Sequence, residues 1–348
     1  MTLTTTKSAI NSVFSAIIAV FFALALGFVL LRLCGYDAVK AYTTMFNGAF
    51  GSKNRFAETI VKTIPLTIMA LGTAIAFKSK IWNIGGNGQF IAGSILSLYV
   101  ALNVKLPPLI MFPLSMFMAF AGGAIWGGLA GYLKAKYDAN EVITTLMLNY
   151  IAYFLLAWLV RGPMMDPAGF GFPQTPLIDK SLQLSSMLAG TRLHSGFVVA
   201  VIMVILSWIL WRSTLGFRME LIGESHEVAA YSGVNVRRTT LLTMIISGGF
   251  AGIAGWNEVF GLHYRLLDDI AGNYGSMAIV IALLGGLHPF GILFSGFFFS
   301  ALLTGGGTMQ RMSGIPLSLV DIIQGTVIVF VISRAALVPA SKYFMRPE

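Results

Sequence analysis

The residues in this chain best equipped for chemistry are amides rather than acids or thiols. Asn83, Asn87 and Gln89 stand close together and share their stretch with Gly85, Gly86 and Gly88. An amide side chain donates and accepts hydrogen bonds without carrying charge, which suits a neutral polar ligand. The charged candidates are scattered: Glu58 and Lys62 at i,i+4 spacing, Glu141 at the start of an apolar run, Glu258 near the end of another, and Asp321 inside a third. The first two can simply pair along one helix face. Glu258 and Asp321 either touch a ligand or gate a pathway, or they are satisfied contacts between helices. His194, His226, His263 and His288 lie far apart without metalloprotease spacing, and Asp268-Asp269 lacks the helical setting of an intramembrane protease. Cys34 is the single cysteine, so no internal disulfide forms. Neither catalysis nor a metal site is expected, and the chain offers no cofactor cradle of its own.

Positioning these residues requires a particular solvent. Of 348 residues, 56% are hydrophobic and only 11% charged, with a mean hydropathy of +0.80. Soluble domains carry about a quarter of their residues as charges, so this composition belongs to an integral membrane protein. The apolar runs are long enough to cross about 30 Å of hydrocarbon as helices, and they lack the alternation of a barrel. Lys7 followed by an apolar run resembles a signal peptide, but the run continues from Val13 to about Leu33, too long for a cleaved segment.

The fold expected is an all-α polytopic membrane protein forming a single transmembrane domain over residues 1–348. About ten spans are predicted, near 12–33, 58–77, 83–102, 108–132, 142–160, 195–212, 239–259, 274–287, 289–304 and 315–334. An even number puts both termini on one side. With that side cytoplasmic, Lys78, Lys80, Lys134, Lys136, Arg212, Arg218, Arg237, Arg238, Lys342 and Arg346 lie inside. The longer stretches 36–57 and 162–194 then form outer loops. The second is stiffened by several prolines, as a docking surface or lid would be, or as a Pro-rich connector happens to be. The net charge of +9 is scattered between apolar runs rather than gathered in a stripe, which argues against nucleic acid as a partner and for the lipid bilayer.

Three glycines at positions 85, 86 and 88 disfavour continuous helix by about 1 kcal/mol each. Unwound backbone at membrane depth is tolerated only where protein or a water-filled cavity covers it. Two readings stand: the amides line a polar path, or the glycines allow close packing and the amides are satisfied locally. Phe90, Tyr150, Tyr153, Trp256 and Tyr274 are the rings available for stacking on a ligand. Asn83-Ile84-Gly85-Gly86 and Gly272-Asn273-Tyr274-Gly275 share glycine and asparagine at span ends, which hints at two related halves.

Thr214 to Arg238 is a polar, mixed-charge island between two apolar runs. Glu220, Glu224 and Glu227 sit on short helical patterns, Ala229 and Ala230 allow close approach, and Gly233 stands where a helix can end left-handed. Such a segment makes a docking knob. It resembles the cytoplasmic coupling segment of ABC-transporter permeases, in the branch that carries nucleosides, simple sugars and branched-chain amino acids.

Further motifs extend the resemblance over about residues 80–330. N-I-G-G-N-G-Q-F is similar to the family's N-I-G-x-E-G-Q, with Asn87 where many relatives carry Glu, so a carboxylate is missing there. The stretch Leu133–Ala152 resembles the segment that follows the family's fourth span. G-E-S-H-E-V-A-A-Y-S-G-V, from Gly223 to Val234, resembles G-x-N-x-x-A-A-x-x-x-G-I. The run from Gly248 to about Gly291 matches except for Ser276 and Met277, which replace the more usual variants. The resemblance implies a permease subunit of a nucleoside importer in a bacterial cytoplasmic (inner) membrane. The amides, glycines and ring read above place the expected substrate path at Asn83, Gly85, Asn87, Gly88, Gln89 and Tyr274, and the resemblance implies ATPase coupling through Gly223, Glu227, Ala229, Ala230 and Gly233. It also implies the partners: ABC ATPase subunits, a second permease chain, and an extracytoplasmic substrate-binding protein.

No G-x-x-x-x-G-K-[ST] phosphate loop is present, so ATP would be hydrolysed by a partner. The alternatives are a ribose-like sugar permease of the same class and a self-sufficient ion-coupled transporter. The latter needs ionisable groups near mid-membrane, which are scarce here.

Overall fold

The structure is a computed structural model describing residues 2–344, with side chains described for residues 18–316, 318–330 and 333. Arg346 and the side chains of Lys7 and Lys342 lie outside the described residues. Among the described residues every named element is helical: α1 (Thr2–Leu33), α2 (Ala38–Phe50), α3 (Lys53–Lys78), α4 (Gly86–Asn103), α5 (Pro108–Tyr137), α6 (Glu141–Arg161), α7 (Gly196–Arg212), α8 (Thr214–Glu224), α9 (His226–Tyr231), α10 (Val236–Glu258), α11 (Tyr274–Leu284), α12 (Pro289–Ser313) and α13 (Leu317–Phe344), with a short 3-10 turn at Lys180–Leu182 and a π-turn at Val259–His263. This is the economy a bilayer enforces, since a helix satisfies its backbone polar groups within one segment.

Each predicted span overlaps one of these helices. Among the described residues, five are long and apolar enough to cross a membrane alone: α3, α5, α6, α10 with its π-turn, and α12. A sixth is reached if α7 and α8, bent by 70° at Ser213, count as one span. The stretch 36–57, expected as a loop, instead folds into α2 and the start of α3. Asp37 starts α2 by accepting hydrogen bonds from the Val39 and Lys40 amides, a cap that the sequence carries openly.

The chain divides into two compact units, Met1–Thr59 with Phe298–Glu348, and Ile60–Phe297. In the first, α1 packs on α13 around Leu31, Ala38, Ala41, Met309, Val320 and Ile323. In the second, α10 lies against α5 and α4. A methyl group at Gly123 would strike the Gly248 carbonyl oxygen, and one at Gly248 would strike the Gly123 carbonyl oxygen. The backbones of α5 and α10 therefore touch, the contact small residues make in lipid, where apolar side chains gain little by leaving the acyl chains. This rigid α4–α5–α10 core holds the amide cluster.

Candidate functional site

The cluster begins where α3 stops. Lys80 takes a left-handed conformation (φ 53°), and the amides of Lys80 and Ile81 bond back to the carbonyls of Phe77 and Ala76. That cap ends α3 in the way a glycine usually does. The backbone then runs without helix from Ile81 to Gly85; of the three glycines expected to break the helix, Gly86 and Gly88 instead lie in the first turn of α4.

Asn83 and Gln89 close on each other across this break. Asn83 Nδ2 donates to Gln89 Oε1 at 3.0 Å, and Gln89 Nε2 donates to Asn83 Oδ1 at 2.9 Å. Asn83 also donates to Ser247 Oγ of α10 at 2.8 Å and accepts from the Gly85 amide at 3.0 Å. Both residues are buried. In this conformation their amides stitch the wall of the cluster together.

The start of α4 has no side-chain cap of its own. Helix α6 supplies one: Asn149 accepts from the Gly88 amide at 2.7 Å and donates to the Ile84 carbonyl at 3.0 Å, while Thr145 Oγ1 accepts from the Ile84 amide at 3.3 Å. Tyr153 accepts from Asn87 Nδ2. Thr145, Asn149 and Tyr153 are spaced by four residues, so they form one polar stripe on an otherwise apolar helix. The expected site residues omit Thr145 and Asn149, although this spacing is visible in the sequence; Tyr153 figures there only as a possible stacking ring.

Asn87 reaches the other way as well. Its Oδ1 accepts from the Gly275 amide at 2.7 Å, and its Nδ2 donates to the Gly272 carbonyl at 3.1 Å. The first turn of α11 is thereby capped from α4, and a Cβ at Gly86 would lie 3.5 Å from Gly275 Cα. Two helix N-termini thus meet at the asparagine. An amide fits because it must both donate to Gly272 and accept from Gly275. A carboxylate would face the Gly272 carbonyl with like partial charge.

Tyr274, the first residue of α11, donates to Glu258 Oε1 at 2.6 Å, and its ring lies 6.0 Å from that of Phe90. Glu258 is buried; its Oε2 stands 3.6 Å from His263 Nε2 and lacks a hydrogen-bond partner. Among the other candidate rings, Trp256 stacks on Phe260 and donates to Ser115, while Tyr150 is exposed. Asp321, in the other unit, is exposed.

The 162–194 segment is tied to the chain just past Glu258. The amides of Thr175, Ile178 and Leu184 donate to the carbonyls of Leu266, Tyr264 and Phe260 at 3.2, 2.9 and 2.9 Å. His194 packs against Gly196 and Gly261 and is buried. Burial, with the Arg192 charge adding less, lowers its pKa to about 4.

The 214–238 island folds into the short helices α8 and α9, punctuated by caps. Ser213 accepts from the Gly216 amide, Ser225 from Val228 and Asn235 from Arg238, so each of α8, α9 and α10 starts on a polar side chain. Gly233 ends α9 with φ 78°; its amide bonds to the Ala230 carbonyl, and that of Val234 to the Ala229 carbonyl. This is the Schellman pattern, in which glycine carries no steric cost. Gly223 abuts the Lys78 carbonyl so closely that any Cβ would collide, and Glu220 pairs with Lys78 at 3.5 Å. Ala229 is fully buried inside the chain, whereas Glu227 and Ala230 are exposed beside Val228, 52% exposed, and Tyr231, 94% exposed. Of the five expected coupling residues, two therefore hold the segment from within, Gly223 and Ala229. Gly233 shapes its turn, and Glu227 and Ala230 present outward.

Residues 55–332 match the family described as branched-chain amino acid transport system, permease component. The chain belongs to this permease family. Within it, the chain is 34% identical to the glucose ABC transporter permease TsgB13 of Haloferax volcanii, covering 91% of this chain and 86% of that one. It is 32% identical to the guanosine ABC transporter permease NupP of Bacillus subtilis, covering 92% and 93%. It is 34% identical to the nucleoside ABC transporter permease NupB of Lactococcus lactis, covering 90% and 89%. As a family member it is a transport subunit, and the amide cluster and helices α8 and α9 lie inside the matched residues.

Proposed function

We propose that the chain is the translocating subunit of an ATP-driven importer for nucleosides in a cytoplasmic membrane. The similarity to guanosine and nucleoside permeases over nine-tenths of each chain carries this reading. A second chain of the same kind would complete the path, two ATPase subunits would bind beneath, and an extracytoplasmic binding protein would deliver substrate. The ATPase hydrolyses the ATP.

The topology proposed has ten crossings, two related halves and both termini in the cytoplasm. A cavity of about 500 Å³ supports the shared side of the basic residues, since Lys80 after α3, Lys134 and Lys136 at the end of α5 and Arg237 at the start of α10 all line it. The meeting of the α4 and α11 starts at Asn87 supports the two halves. On this topology α8 and α9 face the cytoplasm, and the exposed Val228, Ala230 and Tyr231 offer an apolar docking face.

The path runs beside Asn83, Gly85, Asn87, Gly88, Gln89 and Tyr274. Asn83 and Gln89 keep its wall rigid, and Asn87 and Tyr274 join the two segments that must separate when access changes sides. A nucleoside is neutral and polar, so amides and rings suffice to pass it. ATP-driven closure of the ATPase pair would move α8 and α9 as one piece, because Gly223 seats them on the end of α3.

Labelled guanosine uptake into cells with and without the chain tests this reading, with ATP depletion, a protonophore, excess ribose and excess glucose applied separately. Chain-dependent uptake that fails without ATP and survives the other three is expected. Competition by either sugar would favour the sugar reading, which the glucose permease relative supports. Dependence on the proton gradient would overturn ATP coupling.

A further inference from the structure

We propose that the cavity where α3 and α7 end binds the headgroup of an anionic phospholipid. The cavity measures about 270 Å³ and is lined by Lys78, Trp208, Trp211, Arg212 and His288, with the turn at Gly286 and Leu287 closing it. Each cation is held against an indole face. Lys78 Nζ stands 4.4 Å from the Trp211 ring centre, and the Arg212 guanidinium 4.0 Å from that of Trp208. Cation–π contacts fix the two charges on the cavity wall.

The charge balance selects an anion. Glu220 lies 3.5 Å from Lys78 and offsets one positive charge. No other carboxylate forms an ion pair with Lys78 or Arg212 among the described residues. His288 counts as neutral at pH 7, because burial and the nearby Lys78 lower its pKa. One positive charge is left over, which a lipid with net charge −1 matches and a zwitterionic lipid does not.

A separate observation points to an acceptor. The Trp211 indole N–H is buried without a hydrogen-bond partner. A buried donor is rarely left so, and a turn of the indole that brings this edge to the cavity would give it a phosphate oxygen, a strong acceptor. The surroundings decide between lipid and free phosphate. Tryptophans concentrate at the membrane interface, and basic pockets among membrane helices hold lipid headgroups there. Phe290, 44% exposed, packs on both Trp208 and His288 of the cavity wall and gives acyl chains a surface to follow. The Lys78–Glu220 pair joins this cavity to α8, so a bound lipid would bear on the same helix that Gly223 seats.

Native mass spectrometry of the purified full chain tests the site, with phosphatidylglycerol, phosphatidylcholine or inorganic phosphate added in turn. Selective retention of phosphatidylglycerol is expected. The double variant Lys78→Gln/Arg212→Gln should lower that retention on the order of tenfold, and leave phosphatidylcholine unchanged. Trp211→Phe keeps the ring and loses only the donor, and should lower retention about threefold. Lys80→Gln, a cation on a different cavity, should change nothing. Should the double variant fail to fold, Arg212→Gln and Trp211→Phe carry the test. Equal retention of both lipids, or wild-type retention in Arg212→Gln and Trp211→Phe, would overturn the site. Loss of phosphatidylglycerol to millimolar inorganic phosphate would show a phosphate site rather than a lipid one.

Discussion

Asn83 and Gln89 hydrogen-bond to each other twice, 3.0 Å one way and 2.9 Å the other, across the break between α3 and α4. Removing one partner strands a buried amide, at a cost of about 1–3 kcal/mol. Removing both together costs less than the sum. Denaturation of Asn83→Ala, Gln89→Ala and the double variant should therefore show a coupling of about 1 kcal/mol or more. Strict additivity would mean that the two amides act separately.

Asn87 tests the joint between α4 and α11. Asn87→Asp keeps the shape but replaces the donor that faces the Gly272 carbonyl with an acceptor. The expected outcome is at least a tenfold loss of guanosine uptake, on the order of the 1.4 kcal/mol that one charge-mismatched contact removes. Unchanged uptake would show that the joint stays closed throughout transport or does not matter to it.

Two contacts seat α8 on the end of α3, and their sizes differ. The Lys78–Glu220 pair is half-exposed and contributes about 0–1 kcal/mol, so Glu220→Gln should barely change stability or coupling. Gly223→Val forces a side chain into the Lys78 carbonyl and should cost about 1–3 kcal/mol by overpacking. Thermal melts of the two variants decide the ranking, and an equal effect would contradict it.

His194 gives a pH dependence of definite sign. Its pKa is about 4 folded against 6.5 unfolded, so the unfolded chain takes up the proton first. Stability from this group is complete above pH 6.5 and falls by up to about 3 kcal/mol as pH drops to 4. Melting temperatures between pH 7.5 and 4.5 should show this fall, flattened in His194→Gln. A wild-type slope in the variant would assign the fall to other groups.

Much of this architecture is legible in the residues themselves. The caps Ser213, Ser225 and Asn235 and the turn glycine Gly233 are local signals, and α8 and α9 form where the sequence puts them. Gly85 likewise stands at the break before α4, whereas Gly86 and Gly88, expected to disrupt helix, are held inside its first turn. What stays hidden is long-range. That Asn83 meets Gln89 rather than open space depends on Ser247, distant in sequence. That Asn149 caps α4 depends on how α6 packs, and only the spacing of Thr145, Asn149 and Tyr153 hints at it. Ala229 was legible as small, but not as buried within its own chain.

The most direct measurement uses proteoliposomes holding the chain with the ATPase proposed as its partner, in which ATP hydrolysis and guanosine movement are followed together for wild type and Gly233→Val. Valine strains the left-handed turn, where nothing else lies within 4 Å, so assembly should survive. ATP-dependent guanosine transport in wild type, and hydrolysis without transport in Gly233→Val, is the expected result. Wild-type transport in the variant, or guanosine movement that ignores ATP, would contradict coupling through residues 214–238.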